Sequence, residues 1–343
     1  MARGIEEGPV DSRTQERDVI LESSGTEGVA HPRPPSPRVP EKVRWRPSNL
    51  MLRWVTAGIL IPPIIWACYA GGPPYVGIII LFNIFGINEF YRFISQKGAV
   101  PHRLLGTLAA AVLPLIAYVG DAFLATSFMT ALLLTVMILQ LAKNEIRETI
   151  SSVSATFFGV FYVGWLLSHG VSVRFIYHDL ERRYGPQVAG TISPEIGFFF
   201  MMLCLVAAVL CDAGAYFVGR RYGRHKLAPA ISPNKTVEGA FGGIVVGGTG
   251  AVLTKLVFDW LIPGQLSKDF TFVAAILFGL VIAAVAVLGD LIESVLKRDA
   301  DLKDAGSILP GVGGVLDRID SALLAIPVMY YLLLAYYWVR FVW

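Results

Sequence analysis

Charge is scarce in this chain. Of its 343 residues only 16% are Asp, Glu, Lys or Arg, while 55% are hydrophobic. Soluble globular proteins carry about 25% charged residues, so the shortage excludes a disordered chain and an ordinary soluble enzyme. Cysteine is sparse too. Cys68, Cys204 and Cys211 all fall inside apolar runs, which indicates neither a disulfide framework nor a thiolate zinc site. The net charge of +3 is too small to point to nucleic acid, and no nucleic-acid partner is expected.

The few acids are unevenly spread. Residues 1–49 hold eight of the 26 acids and seven prolines, with no long apolar run. That composition predicts a disordered, solvated cytoplasmic tail. It has no apolar h-region, so it does not read as a signal peptide.

From residue 50 onward come nine apolar stretches near the length of about 20 residues that a bilayer crossing needs. They lie at about 52–70, 74–94, 104–119, 121–141, 153–170, 196–219, 238–260, 271–296 and 318–340. One short run could be a buried soluble helix, but nine in sequence cannot. The expected fold is therefore an all-α polytopic membrane protein with about nine transmembrane helices. Residues 50–195 would supply about five of them. Residues 196–343 would supply about four, together with two polar loops. With the N-terminus inside and the C-terminus outside, 18 Lys and Arg face the cytoplasm and six face out, the bias that sets membrane orientation. The longest outside loop, about 171–195, is the exception, with three Arg.

Two segments interrupt the apolar pattern. In the first, Asp212 precedes Arg220 by eight residues, which puts it about 12 Å inside a helix. A carboxylate at that depth is costly unless paired or hydrated, and marks a polar cavity or an interhelical ion pair. A cationic loop follows, with Gly219 and Gly223 read as bends. It leads to Ser232-Pro233-Asn234-Lys235-Thr236 just before a helix. Hydroxyls, an amide, an ammonium and a helix N-terminus together suit phosphate. The plainer reading is capping, with Thr236 as the cap and Glu238 in the first turn. The G-x-x-x-x-G-K-[ST] spacing of a Walker A loop is missing. Gly239, Gly243 and Gly247 recur every fourth residue, a small-residue face for close helix packing in lipid.

The second segment, 289–321, holds seven carboxylates. Asp290, Ser294, Lys297 and Arg298 share one helical face. Lys297, Arg298 and Lys303 can hold phosphate oxygens. Asp304 and Asp317 flank a glycine-rich loop that can fold back and bring them together. Clustered carboxylates without histidine suit Mg²⁺. Solvated charges that pair among themselves are the bland alternative. It is strong for any one residue and weak for the whole cluster. Metal-dependent phosphate chemistry at the cytoplasmic membrane surface is the reading these residues support.

The run Ser294-x-Leu-Lys297-Arg298-x4-Lys303-Asp304-x-Gly306-x2-Leu309-Pro310-x-Val312-Gly313-Gly314-x-x-Asp317-Arg318-x-Asp320 resembles the signature of the phosphatidate cytidylyltransferases, the CDP-diacylglycerol synthases. The Asp212-x-x-Ala215-Tyr216 and Ile231-to-Gly239 segments are similar to that family's pattern as well. The motifs span about residues 205–321, and the membrane layout extends the likeness to about residue 50. There is one departure: Val312 stands where the family usually has histidine, so any contact made by that histidine is closed to this chain.

The resemblance implies a reaction in which CTP and phosphatidic acid give CDP-diacylglycerol and pyrophosphate. It implies one or two Mg²⁺ ions, with a monovalent cation as a further candidate, held by Asp304 and Asp317 with Asp290 and Asp212 beside them. Lys297, Arg298, Lys303 and Arg318 would act with Asp304 and Asp317 on the phosphates. Ser232, Pro233, Lys235, Thr236, Glu238, Ser294, Gly313 and Gly314 would bind substrate. It also implies a homodimer and a bacterial inner membrane, with the active site facing the cytoplasm.

Two other functions compete. A transporter would use Glu89, Asp212 and Asp290 as an ion path, but no internal repeat is visible. A CTP-using enzyme acting on a polyprenyl lipid, of the dolichol kinase kind, is the nearer rival. The CDP-alcohol phosphotransferases are excluded, because their motif needs an Asp-Gly pair and none occurs.

Overall fold

The computed structural model describes residues 49–143, 148–261, 270–301, 306 and 313–342. The stretch read as a tail, up to residue 48, lies outside them. The N-terminal half is built from α1 (Asn49–Ala70), α2 (Gly72–Ser95), α3 (Arg103–Val119), α4 (Ala122–Leu141) and α5 (Thr149–Gly159). A π-helical segment (Val160–Trp165) then runs into α6 (Leu166–Arg174), α7 (Ile176–Tyr184) and α8 (Pro186–Ala189). The C-terminal half has α9 (Ile196–Tyr222), the strands β1 (Lys226–Ala228) and β2 (Ser232–Thr236), α10 (Val237–Leu261), α11 (Phe272–Asp299) and α12 (Leu316–Val342).

Seven helices are long and apolar enough to cross a membrane: α2, α4, the continuous run Thr149–Arg174, α9, α10, α11 and α12. The other two expected runs are also helical, the 22-residue α1 and the 17-residue α3. Seventeen residues rise about 25 Å, less than the ~30 Å of hydrocarbon. The expected loop at 171–195 is mostly helix instead. Its α7 is amphipathic, burying Ile176 and Leu180 while Arg182 and Arg183 face out, a short pattern that a search for bilayer-length runs passes over.

In the C-terminal half, α10 packs along α9, α11 along α10, and α12 along α11. Glycine permits the first contact. A Cβ on Gly239 would lie 2.8 Å from the carbonyl oxygen of Ala215; on Gly243, 2.7 Å from that of Cys211; on Gly247, 2.7 Å from that of Ala207. The stripe is thus used within the chain and lends no support to a homodimer. Gly243→Val should push the two helices apart and cost about 1–3 kcal/mol. A fall in the unfolding midpoint of the detergent-solubilised protein would register it. Gly77→Val, where a Cβ meets nothing within 4 Å, serves as the control.

The two ends of this bundle differ in chemistry. At one end Phe199 and Phe200 of α9, Phe270 before α11, Phe278 of α11 and Tyr336 of α12 pack edge to face. Such pairs add about 0.5–1.5 kcal/mol beyond their area. At the other end α9 and α11 finish, α12 begins, and the carboxylates gather.

Candidate active site

Asp290 and Glu293 stand one turn apart on α11, and Asp320 stands on the first turns of α12. Close approach of the two helices joins them: a Cβ on Gly289 would lie 2.8 Å from the carbonyl oxygen of Asp320. Carboxylate oxygens of Asp290, Glu293 and Asp320 consequently lie within 4.8 Å of one another. Like charges this close repel strongly in a low-dielectric setting, so cations must be at hand.

Two lysines supply them. Lys297 Nζ is 2.5 Å from Glu293 Oε2 and 3.0 Å from Asp317 Oδ1. Lys235 Nζ is 2.6 Å from Asp290 Oδ2. Asp317 is held from a second side, because its Oδ2 accepts the Gly314 amide at 2.9 Å. That cap uses Gly313 at φ +103°, a backbone conformation that favours glycine. Asp212 on α9 joins from the third helix, and the charges acting on it are Asp290, Asp320 and Lys235.

The hairpin brings Lys235 to α11. Its strands pair antiparallel, Lys226 with Thr236 and Ala228 with Ser232, and Arg298 Nε donates to the Ile231 carbonyl at 3.1 Å. The Ser232–Thr236 run is therefore a strand rather than a loop. Gly219 and Gly223 are not bends. Gly219 lies inside α9 and Gly223 just after it, and a Cβ on Gly223 would lie 2.7 Å from Thr236 Cγ2.

Most of the chain matches a known family. The model described as "Cytidylyltransferase family" matches residues 51–336. The chain belongs to the cytidylyltransferase family. It is 31% identical over 277 residues to "Phosphatidate cytidylyltransferase" of Synechocystis sp., covering 76% of this chain and 88% of that one. It is 30% identical over 267 residues to "Phosphatidate cytidylyltransferase 5, chloroplastic" of Arabidopsis thaliana, covering 74% and 64%. With "Phosphatidate cytidylyltransferase" of Bacillus subtilis it shares 45% over 139 residues, 40% of this chain and about half of that one, at 49%. The cytidylyltransferase family members are nucleotidyltransferases, and this chain is one with membrane-length helices.

Within this cytidylyltransferase, the expected site residues separate into groups. Asp212, Lys235, Asp290, Lys297 and Asp317 come together as described. Lys303 and Asp304, like the departure at Val312, lie outside the described residues. Thr236 does what a cap does, its Oγ1 accepting the Gly239 amide at 3.1 Å. Glu238 is committed to the hairpin: it accepts the amides of Arg224 and His225 and lies 2.6 Å from His225 Nδ1. Those contacts make it a brace for the hairpin. Arg298 also binds the hairpin, its Nε donating to the Ile231 carbonyl.

Glu293, Asp320 and Glu89 were missing from the expected site. Glu293 sits three residues after Asp290 and four before Lys297, and Asp320 three after Asp317, so helical spacing alone could have found both. Glu89 is a lone acid in an apolar run, and no local pattern connects it to residues 200 positions away.

Proposed function

We propose that this nucleotidyltransferase moves the cytidylyl group of CTP onto phosphatidic acid at the cytoplasmic face of a bacterial inner membrane. One observation carries the reading. Carboxylates and lysines from α9, β2, α11 and α12 converge at one end of a bundle of apolar helices, where a soluble nucleotide and a bilayer lipid can both arrive. The 18-to-6 distribution of Lys and Arg supports nine crossings with that end inside.

The donor set fits a hard cation. Asp290, Glu293 and Asp320 offer oxygen ligands alone, which suits Mg²⁺, with Asp212 and Asp317 beside them and Asp304 as a further ligand. When bound, such an ion supplies charge neutralisation at phosphate oxygens.

The chain's own residues do the rest. A lipid phosphate oxygen forms a bond to the α-phosphorus of CTP. The bond from that phosphorus to the bridging oxygen breaks, and pyrophosphate leaves with the electron pair. Near neutral pH the lipid phosphate is already anionic, so repulsion between phosphates is the main barrier rather than proton removal. Lys235 and Lys297 are placed to lower it, with Arg298, Lys303 and Arg318 as further phosphate partners. Ser232, Ser294 and the amides of Gly313 and Gly314 supply hydrogen bonds.

The test uses the purified, detergent-solubilised chain with phosphatidic acid, Mg²⁺ and CTP labelled at the α-phosphorus. Label should enter a lipid, and should not when a polyprenol replaces phosphatidic acid. A folded protein that labels no lipid removes the proposal; transfer of label to the polyprenol from CTP labelled at the γ-phosphorus, with release of CDP, moves it to the dolichol kinase class.

A further inference from the structure

Every catalytic motif lies after residue 205, yet a buried carboxylate reaches them from the second helix. Glu89 on α2 is fully buried, at 0% exposure. Its Oε2 accepts the Leu316 amide at 2.8 Å across 227 residues of chain, and the Val315 amide is a second donor. These are the first residues of α12, where backbone N–H groups lack helical partners and the helix dipole is positive.

Glycine closes the pocket around this carboxylate. A Cβ on Gly314 would lie 2.7 Å from Glu89 Oε2, and Gly306 leaves no room for one against Oε1. The helix carrying Glu89 is itself fixed. One turn earlier, a Cβ on Gly86 would lie 3.0 Å from Val163 of the π segment and 3.5 Å from Ile319 of α12. Asp317 follows Leu316 directly and takes the Gly314 amide. Glu89 and Asp317 thus hold one short turn together, and a Cβ on Gly314 would meet both, 2.7 Å from Glu89 Oε2 and 3.0 Å from Asp317 Oδ2.

We propose that Glu89 is a positioning residue for cytidylyl transfer: it holds the Gly314–Leu316 turn so that Asp317 faces Lys297 and the carboxylate group. The inference rests on that group being the site of transfer. An apolar residue of the same size would fill the space but strand the Leu316 amide, and a buried unsatisfied donor is costly. Glutamine keeps one acceptor for the Leu316 amide but loses the negative charge, which weakens both that hydrogen bond and its attraction to the helix N-terminus.

The experiment compares the full-length wild type with Glu89→Gln, Glu89→Ala and Gly314→Ala in detergent. Gly314→Ala disturbs the same contact without removing the carboxylate, so it remains informative where a Glu89 variant fails to fold. Two readouts are taken: amide hydrogen exchange of a peptide spanning 313–318, and steady-state kinetics across Mg²⁺ concentrations. Exchange in that peptide should quicken by about tenfold or more while peptides from α9 and α10 stay unchanged. Turnover should fall by about tenfold or more, with a smaller change in KM for CTP and a higher half-saturating Mg²⁺. Wild-type exchange in Glu89→Gln and Gly314→Ala would overturn the proposal. Faster exchange with undiminished turnover would overturn it too, because the turn would then not position a catalytic group. Absence of turnover in the wild type would instead defeat the assignment of function.

Discussion

Asp320→Asn should reduce turnover by about 10³-fold, a barrier increase of about 4 kcal/mol, while raising the temperature at which the protein unfolds. The two effects share one cause. Asp290, Glu293 and Asp320 hold carboxylate oxygens within 4.8 Å, an arrangement in which like charges repel and which the proposed function uses to hold a cation. Removing one charge with an isosteric amide relieves the repulsion and removes an oxygen ligand together. Proteins often give up stability at sites of this kind. Asp290→Asn should match the loss of activity but not the gain in stability, because Lys235, 2.6 Å from Asp290, would lose its partner. Labelled-lipid assays beside thermal unfolding in detergent separate the two. Near-normal turnover in Asp320→Asn would remove that residue from the site.

Lys297→Met is expected to be the most damaging single change, and in the opposite sense for stability. Lys297 lies between Glu293 and Asp317, at 2.5 and 3.0 Å, and the Glu293 side chain is only 1% exposed. Taking away one member of a buried ion pair leaves an uncompensated charge, a loss of about 3–5 kcal/mol. Both the amount of folded protein in the membrane and its activity should drop sharply. Lys297→Arg should not rescue them, because a planar guanidinium cannot replace a compact ammonium between two carboxylates. The double variant Lys297→Met with Glu293→Gln should recover folding without activity. Quantifying folded protein by size-exclusion chromatography beside the lipid assay checks each step; a well-folded, active Lys297→Met would refute the role.

Much of this was legible in the residues because membrane helices announce themselves. Long apolar runs with few charges are helical, and among the described residues seven are long and apolar enough to cross a membrane, since backbone groups in lipid must be satisfied within the helix. The site was legible where acids stood against that background, as with Asp212 and Asp290. Hydropathy hid what depends on packing. Ser232-Pro233-Asn234-Lys235-Thr236 contains residues typical of turns, and it becomes a strand through pairing with Lys226–Ala228. Arg298 shares a helical face with Asp290 in projection, but its bond to the hairpin carbonyl of Ile231 could not be read from spacing. Glu89 reaches its partner across a fold that no local spacing encodes.

Lys235 and Lys297 also bear on how such a protein can be made. Four acids brought together by two helices would resist insertion and pairing in a bilayer if nothing opposed their charge. The chain carries its own counter-ions, one on β2 and one on α11, and both are in contact with the acids. Each lysine lets these helices come together with their acids already opposed.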